Sequence, residues 1–537
     1  MNERPTELSS RQLRFQRQSP VRWLSTRVLA STATRLALAR LSGAYLDKRE
    51  LQALNEQGVF NHSGVEELWL DFVADTGDGF DATYSVAYLI SQPDLKMDDE
   101  VLPRGDVTIF GGDQVYPTAN YRDYENRTKG PYQAAMPEGH TSLFVIPGNH
   151  DWYDGLTAFF RLFCQHRKIG GRQTHQSRSY FAIRLPHRWW ALGIDAAFDA
   201  YLDQPQLDYF AWALKDMEPG DPVILVVPEP VWYWAKDNPR DFDRVDYFIR
   251  NYVEAAGGDV RLVLTGDKHH YARYGDVDGR RELITSGGGG GYLAPTHTLK
   301  RKLEAPSQES MSRHRSETRT YERKARYPDR RQSWGFGMGI FWRLPRRNPS
   351  FIGLMGVIQL LGLLSFIESP GTALTASAAV VAITVMFANP VGSRTLRYWV
   401  AGFSHGAAQI GLFFLGTWAW KTLSLSGWEA YVAYVPVAGI AATMVTAAYM
   451  LIASGFDVNA NELFAGQSIE DAKGFLRLKI AEDGVTVYPI AVPKANHKWD
   501  VNRDGDPAGS WIVPKKRITA HFAEEPFFVA GKTGTGK

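Results

Sequence analysis

Cysteine is all but missing: Cys164 is the only one in 537 residues. No internal disulfide can form, and an oxidising compartment gains no support. A surplus of one charge sign is missing too, since the net charge is only +2. That balance argues against a general polyanion binder, and no nucleic-acid partner is expected. The N-terminus has scattered arginines but no short apolar core with a small-residue cleavage site, so no signal peptide is expected.

Between residues 350 and 454 it is charge that is scarce. Four apolar stretches follow one another: "FIGLMGVIQLLGLLSFI", "ALTASAAVVAITVMFA", "YWVAGFSHGAAQIGLFFLGTWAW" and "YVAYVPVAGIAATMVTAAYMLIA". With its flanks, each reaches the roughly 20 residues needed to cross a hydrocarbon core, so four transmembrane helices and a lipid bilayer as partner are expected. His405, the one readily titratable residue inside a span, reads as a helix–helix hydrogen bond rather than a proton path. Residues 300 to 347 carry fourteen Lys and Arg against five acids. Arg394 and Arg397 sit between the second and third spans. By the positive-inside rule both large flanking regions face the cytoplasm, which makes this a multi-pass cell-membrane protein, of bacterial inner-membrane type.

The expected organisation is a basic amphipathic segment over 1–62, a catalytic domain over 63–299 and a basic juxtamembrane linker over 300–349. The membrane region then spans 350–454, and a small β-rich appendage occupies 455–537. In the first segment Leu24, Val28, Leu29, Leu36, Leu38 and Leu41 recur among arginines at helical spacing. That stripe suits either the membrane surface or the face of the soluble domain.

The chemistry lies in residues 63–299, where apolar strands alternate with helices in an α/β pattern. Several strands end in polar side chains. "LWLDFVADTGDG" delivers Asp75 and Asp78, and "VTIFGGDQVY" delivers Asp113 and Tyr116. "LFVIPGNHD" delivers Asn149 and His150, "VILVVPEPVW" delivers Glu229, and "VRLVLTGDKHHY" delivers Asp267, His269 and His270. Strand ends in α/β folds meet at a crevice. Carboxylates, an amide oxygen, a phenol and imidazoles are a ligand set for two metal ions. The "TSGGGGGY" run reads as a flexible loop beside the site. The terminal "GKTGTGK" imitates a phosphate loop, but no Ser or Thr follows Lys537, and it is rejected as a nucleotide site.

In order and spacing these segments resemble the calcineurin-like metallophosphoesterase superfamily. Asp75-Thr-Gly77 and Gly112-Asp113-Gln-Val-Tyr116 are similar to the opening motifs of purple acid phosphatases, and Gly148-Asn149-His150-Asp151 is similar to the superfamily's central signature. The resemblance implies a two-sheet α/β/β/α sandwich with a dinuclear centre at the strand ends, hydrolysing a phosphorylated substrate by a metal-bound water. By the same resemblance Asp113 bridges the metals, Asp75, His269 and Tyr116 hold the first, and Asn149 serves the second. His150 steadies or protonates the leaving oxygen, and Asp151 orients the turn.

Two motifs depart from the pattern. Glu229 and Asp267 stand where histidines are expected. Both are themselves metal ligands, and they make the second site all oxygen, which suits Mn, Mg or Ca beside Fe or Mn in the first. The alternative is a sensor or transporter subunit whose degenerate domain binds phosphate compounds without hydrolysing them. Phosphomonoester, diester, nucleotide and lipid headgroup all remain open as substrates, as does the oligomeric state.

Overall fold

The computed structural model describes residues 4–31, 58–97, 99–197, 201–236, 238–310, 312–389, 392–503 and 509–532. Leu36, Leu38, Leu41 and the terminal glycine-lysine run from Thr533 to Lys537 lie outside the described residues. The strands that carry the argument are β1 (Leu68–Val73), β2 (Val107–Phe110), β3 (Thr141–Val145), β4 (Pro222–Val226), β5 (Asp259–Thr265), β6 (Glu282–Ser286), β7 (Lys473–Ala481) and β8 (Gly484–Val492).

Among the described residues they belong to two nine-stranded sheets. In the first sheet β1, β2 and β3 run parallel; in the second β4, β5 and β6 do the same. Side chains alternate between the faces of a strand. Leu68, Leu70 and Phe72 therefore enter a core shared with Ile224, Val226, Leu262 and Leu264 of the other sheet. Trp69 and Val73 turn the opposite way, into a cluster with Phe80, Tyr84 and Leu89 of helix Phe80–Ile90. Val223 and Leu225 likewise cluster with Leu207 and Phe210 from helix Gln204–Ala213 and with Phe242 from helix Pro239–Phe248. This is an α/β domain with two main sheets sharing a core and helices outside them.

Two expectations about boundaries need correction. The segment 300–349 is not a plain linker: Lys302–Ala305 pairs with Arg319–Tyr327, which pairs with Tyr271–Asp276 at the edge of the second sheet. Arg319–Tyr327 lies one strand in from the sheet edge, which Lys302–Ala305 forms; its lysines and arginines disguise it in the sequence. The C-terminal β-rich region is not an appendage either. β7 pairs antiparallel with β1 from Leu68 to Phe72, so the end of the chain completes the first sheet. Arg477 on β7 binds both oxygens of Asp71 on β1 at 2.7 and 3.0 Å, with both side chains buried.

Four long helices follow: α1 (Pro349–Glu368), α2 (Pro370–Ala388), α3 (Leu396–Thr422) and α4 (Trp428–Ser454). Among the described residues α1, α2 and α4 are long and apolar enough to cross a membrane. α3 has the length, at 27 residues, but Ser404, His405 and Gln409 interrupt its apolar sequence. α1 and α4 meet at glycines: a Cβ on Gly356 would strike the Val435 carbonyl, and one on Gly439 the Ile352 carbonyl. Such small-residue contacts let helices approach closely in lipid. Gln409 Nε2 donates to the Ala442 carbonyl and to Thr446, each at 3.2 Å, while its Oε1 accepts from Gln359 at 2.9 Å. His405 lies 3.4 Å from Thr446 and stacks on Tyr449, the interhelical role read from the sequence.

The described part of the N-terminal segment packs where the domain meets these helices. Leu13, Phe15, Val21 and Leu24 are buried. The Val21 amide donates to Asp78 at 2.7 Å and the Leu24 amide to Asn348, at the head of α1, at 3.2 Å.

Candidate metal centre

The parallel strands of the two sheets carry the expected donors on the turns that follow them. Asp75 follows β1, Asp113 follows β2, Asn149 and His150 follow β3, Glu229 follows β4 and Asp267 and His269 follow β5. The chain turns sharply at three of these ends: Asp75, Asp113 and Asp267 have φ of 60°, 52° and 64°. Left-handed backbone costs a residue with a Cβ about 1–2 kcal/mol. Such strain gathers at functional sites, where the surrounding structure enforces it.

The Tyr116 hydroxyl sits at the focus of these turns. It donates within 2.8 Å of Asp75 Oδ1, lies 3.1 Å from Asp113 Oδ2 and is 2.9 Å from His269 Nε2. His269 Nδ1 lies 2.6 Å from the Tyr292 carbonyl. A carbonyl can only accept, so Nδ1 carries the proton and Nε2 presents its lone pair to the centre. Asp75 Oδ2 and Asn149 Oδ1 are buried with no hydrogen-bond partner, an arrangement that costs free energy unless something cationic meets them. Burial, then the Asp113 and Asp267 charges, hold the Asp75 carboxyl well above its usual range. Burial and Asp267 push Asp113 up to about 8. Carboxylates crowded in this way favour a cation between them.

His150 stands beside them. Its backbone N–H donates to Asp113 Oδ1 at 2.8 Å and its Nδ1 donates to the Pro117 carbonyl at 2.7 Å. Burial lowers its pKa to about 4, which keeps the ring neutral, with its proton on Nδ1 and a lone pair on Nε2. Asp151 accepts from the amides of Gly148 at 2.8 Å and Gln114 at 3.3 Å, and from the Tyr124 hydroxyl. It thereby ties the β2 and β3 turns together.

The Asp267 carboxylate is engaged by Lys268 at 2.9 Å. Burial opposes the Lys268 ammonium, but Asp267 and Glu229 outweigh it and raise its pKa. His270, one residue beyond His269, is buried against Tyr233 at 3.3 Å and takes no part in the cluster. Asp78 anchors Val21 rather than facing the centre.

The glycine run is not the flexible loop expected from its composition. Gly287 to Gly291 are buried, and the amides of Gly287, Gly289 and Gly291 donate to the carbonyls of His270, Ala74 and Asp75. A Cβ on Gly287 would collide with Asp75 Oδ2, and one on Gly291 would come within 2.9 Å of His269 Nδ1. The glycines are there so that this backbone can press on two expected ligands. Sequence reasoning also missed Lys473, a buried lysine on β7 whose Nζ donates to the Gly291 carbonyl at 2.5 Å. Burial brings its pKa down to about 8. Nothing local marks it; only the β7–β1 pairing brings it to the site.

Among the described residues one His/carboxylate group is tight enough to coordinate a single metal ion: Asp81, Glu470 and His497, with ligand atoms within 4.8 Å of one another. Its atoms already have partners. His497 Nδ1 and Trp499 Nε1 each lie 2.8 Å from Asp81, and Arg347 binds Glu470 at 3.1 Å. The group reads more simply as an ion-pair network.

Residues 68–271 match the family model for calcineurin-like phosphoesterases. Over these residues the chain thus carries a calcineurin-like metallophosphoesterase domain, joined to several apolar helices consistent with a membrane region. No curated protein matches it significantly. Three solved structures are similar over part of the chain. GAP50, the anchor in the inner membrane complex of Plasmodium, is 14% identical over 43% of this chain and 74% of its own, with a TM-score of 0.31. Purple acid phosphatase PPD1 from yellow lupin (Lupinus luteus) seeds is 12% identical over 45% and 48%, with a TM-score of 0.30. PhoD is 13% identical over 44% and 59%, with a TM-score of 0.29.

Proposed function

We propose that the protein is a membrane-anchored phosphoesterase that hydrolyses a phosphate ester at a two-metal centre, with the site on the cytoplasmic face. The observation that carries this reading is the meeting of Asp75, Asp113 and His269 at the Tyr116 hydroxyl, with the Asp267 amide on Asp75 and with Asp75 Oδ2 and Asn149 Oδ1 buried and unpartnered. The donors fit the group. Asp75, His269 and Tyr116 would hold one ion, Asn149, Glu229 and Asp267 the other, and Asp113 both. Bound there, the ions would offset phosphate charge and lower the pKa of water. His150, its ring fixed by the Pro117 carbonyl, meets the ester through Nε2, which the phosphate charge would favour in protonated form. Lys268 adds positive charge at the rim, and Asp151 keeps the Asp113 and Asn149 turns in register.

Turnover of a generic aryl phosphate by metal-loaded protein, lost in Asp113→Asn, tests the reading. His150→Ala should lower turnover by about 10²–10⁴ with metal content unchanged. Mn²⁺ should restore stripped protein better than Zn²⁺, because the second donor set is all oxygen. One observation favours the non-hydrolytic alternative: Lys268 already neutralises Asp267. Binding of phosphate without turnover under any divalent ion would select it.

The two-sheet α/β/β/α reading is supported by the shared core and the outer helices. Four spans are supported by the β7–β1 pairing: a chain whose two flanks share a sheet must leave the membrane on the side where it entered. An even number of crossings satisfies that, with α3 as the further span. A reporter after Lys537 should read cytoplasmic, and one in the α1–α2 turn at Ser369 external.

A further inference from the structure

The N-terminal segment from Arg17 to Leu29 separates two openings of opposite character. On one side Arg17 and Arg22, with Arg127 of the catalytic domain, line a cleft of about 600 Å³ that reaches Pro117, whose carbonyl holds His150. On the other side Leu24 caps a groove of about 220 Å³ among α1, α2 and α3, walled by Met355, Val380 and Phe387. Leu354 and Ile383 on its border are 37% and 60% exposed on the outer surface of the helices, so the groove opens sideways to lipid. Trp23, flanked in sequence by Arg22 of the first opening and Leu24 of the second, has ring centroids 5.6 Å from His150 and 5.9 Å from Tyr116.

One molecule satisfies both openings at once: an anionic head for the arginines and an apolar tail for the groove. We propose that the substrate is a lipid phosphate, a phosphate ester on a long apolar chain that lies in the α1–α3 groove while its head passes Trp23 to reach His150. The proposal rests on the phosphoesterase reading and names its substrate class. In the reaction the oxygen of water bonds to phosphorus and the phosphorus–oxygen bond to the lipid breaks. The lipid alcohol keeps that oxygen, gains a proton and stays in the bilayer, and phosphate leaves by the arginine cleft. Chain length matters because a long chain leaves water for the apolar phase onto which the groove opens, whereas a butyl chain stays in water with its head.

The test uses full-length, Mn²⁺-loaded protein in non-ionic detergent. It compares p-nitrophenyl phosphate with butyl, octyl and hexadecyl phosphates in mixed micelles, together with the p-nitrophenyl diester of each alkyl phosphate. The expected result is a kcat/KM that rises at least tenfold from butyl to hexadecyl. In M355W and V380W, which fill the groove from different helices, that ratio should fall to about twofold or less. A hexadecyl phosphate with a diazirine in its chain should label α1–α3 in the unaltered protein, a readout independent of how the variants fold. A flat chain-length series, or labelling that misses these helices, overturns the lipid proposal while aryl phosphate turnover leaves the phosphoesterase reading standing. Absence of turnover with every phosphate removes that reading and the lipid proposal with it.

Discussion

The catalytic domain and the helical region are packed on opposite plans. In the domain Leu70, Phe72, Ile224 and Leu264 are fully buried. In the helices Leu374, Met386 and Val437 are 73%, 70% and 70% exposed, while the interior holds Gly356, Gly439, Gln359, Gln409 and His405. Burying Leu70 removes apolar surface from water, the main favourable contribution to folding. Between the helices no such drive operates if lipid is the surroundings, so close glycine contacts and interhelical hydrogen bonds hold them. The contrast defines the solvent each region is built for, and substitutions of matched type can break or sharpen it.

The largest effect belongs to the domain. Arg477→Ala leaves the Asp71 carboxylate buried without its partner and should destabilise by about 3–5 kcal/mol. Denaturant unfolding of the full chain in detergent reads this, and a loss under 1 kcal/mol would mean water reaches Asp71. Next, Gly439→Leu forces a side chain into the Ile352 carbonyl and should cost about 1–3 kcal/mol, seen as a lower unfolding midpoint of the helices with the domain unchanged. Gln409→Leu removes the interhelical hydrogen bonds and should cost only about 0.6 kcal/mol, the usual scale in membrane helices. A cost of several kcal/mol would show an aqueous interior. Smallest of all, Leu374→Ala should stay within about 0.5 kcal/mol, whereas Leu70→Ala in the domain should cost about 2–5 kcal/mol. Equal losses at the two leucines would erase the contrast.

Much of the site was legible because its signals are local. A strand that ends in Gly-Asp or Gly-Asn-His shows both the turn and a polar side chain within a few residues, and Asp113, Asn149 and Asp267 stand just beyond such strand ends. The helices were legible from length and apolarity. What escaped depends on distant pairing. Neither the register of β7 on β1 nor the burial of Lys473 behind the glycine run has a local signature, because each partner looks ordinary alone. The Arg319–Tyr327 strand was hidden by its charge, and Trp23 gave no sign that it would stand against His150. The glycine run misled for a related reason: composition suggests freedom, while Asp75 and His269 make close packing the point.

The place of β7 also has a consequence for how the protein is made. Asp71 and Arg477 are 406 residues apart in sequence, and the membrane helices are synthesised between them. As the chain emerges from the ribosome β1 has β2 beside it, with β3 beyond, but an open edge where β7 belongs, and open edges invite pairing with other chains. Lys473 cannot reach the glycine run until that edge closes. The centre is therefore completed only after the helices between the two flanks have been made. Biosynthesis itself ties a finished candidate centre to finished apolar helices.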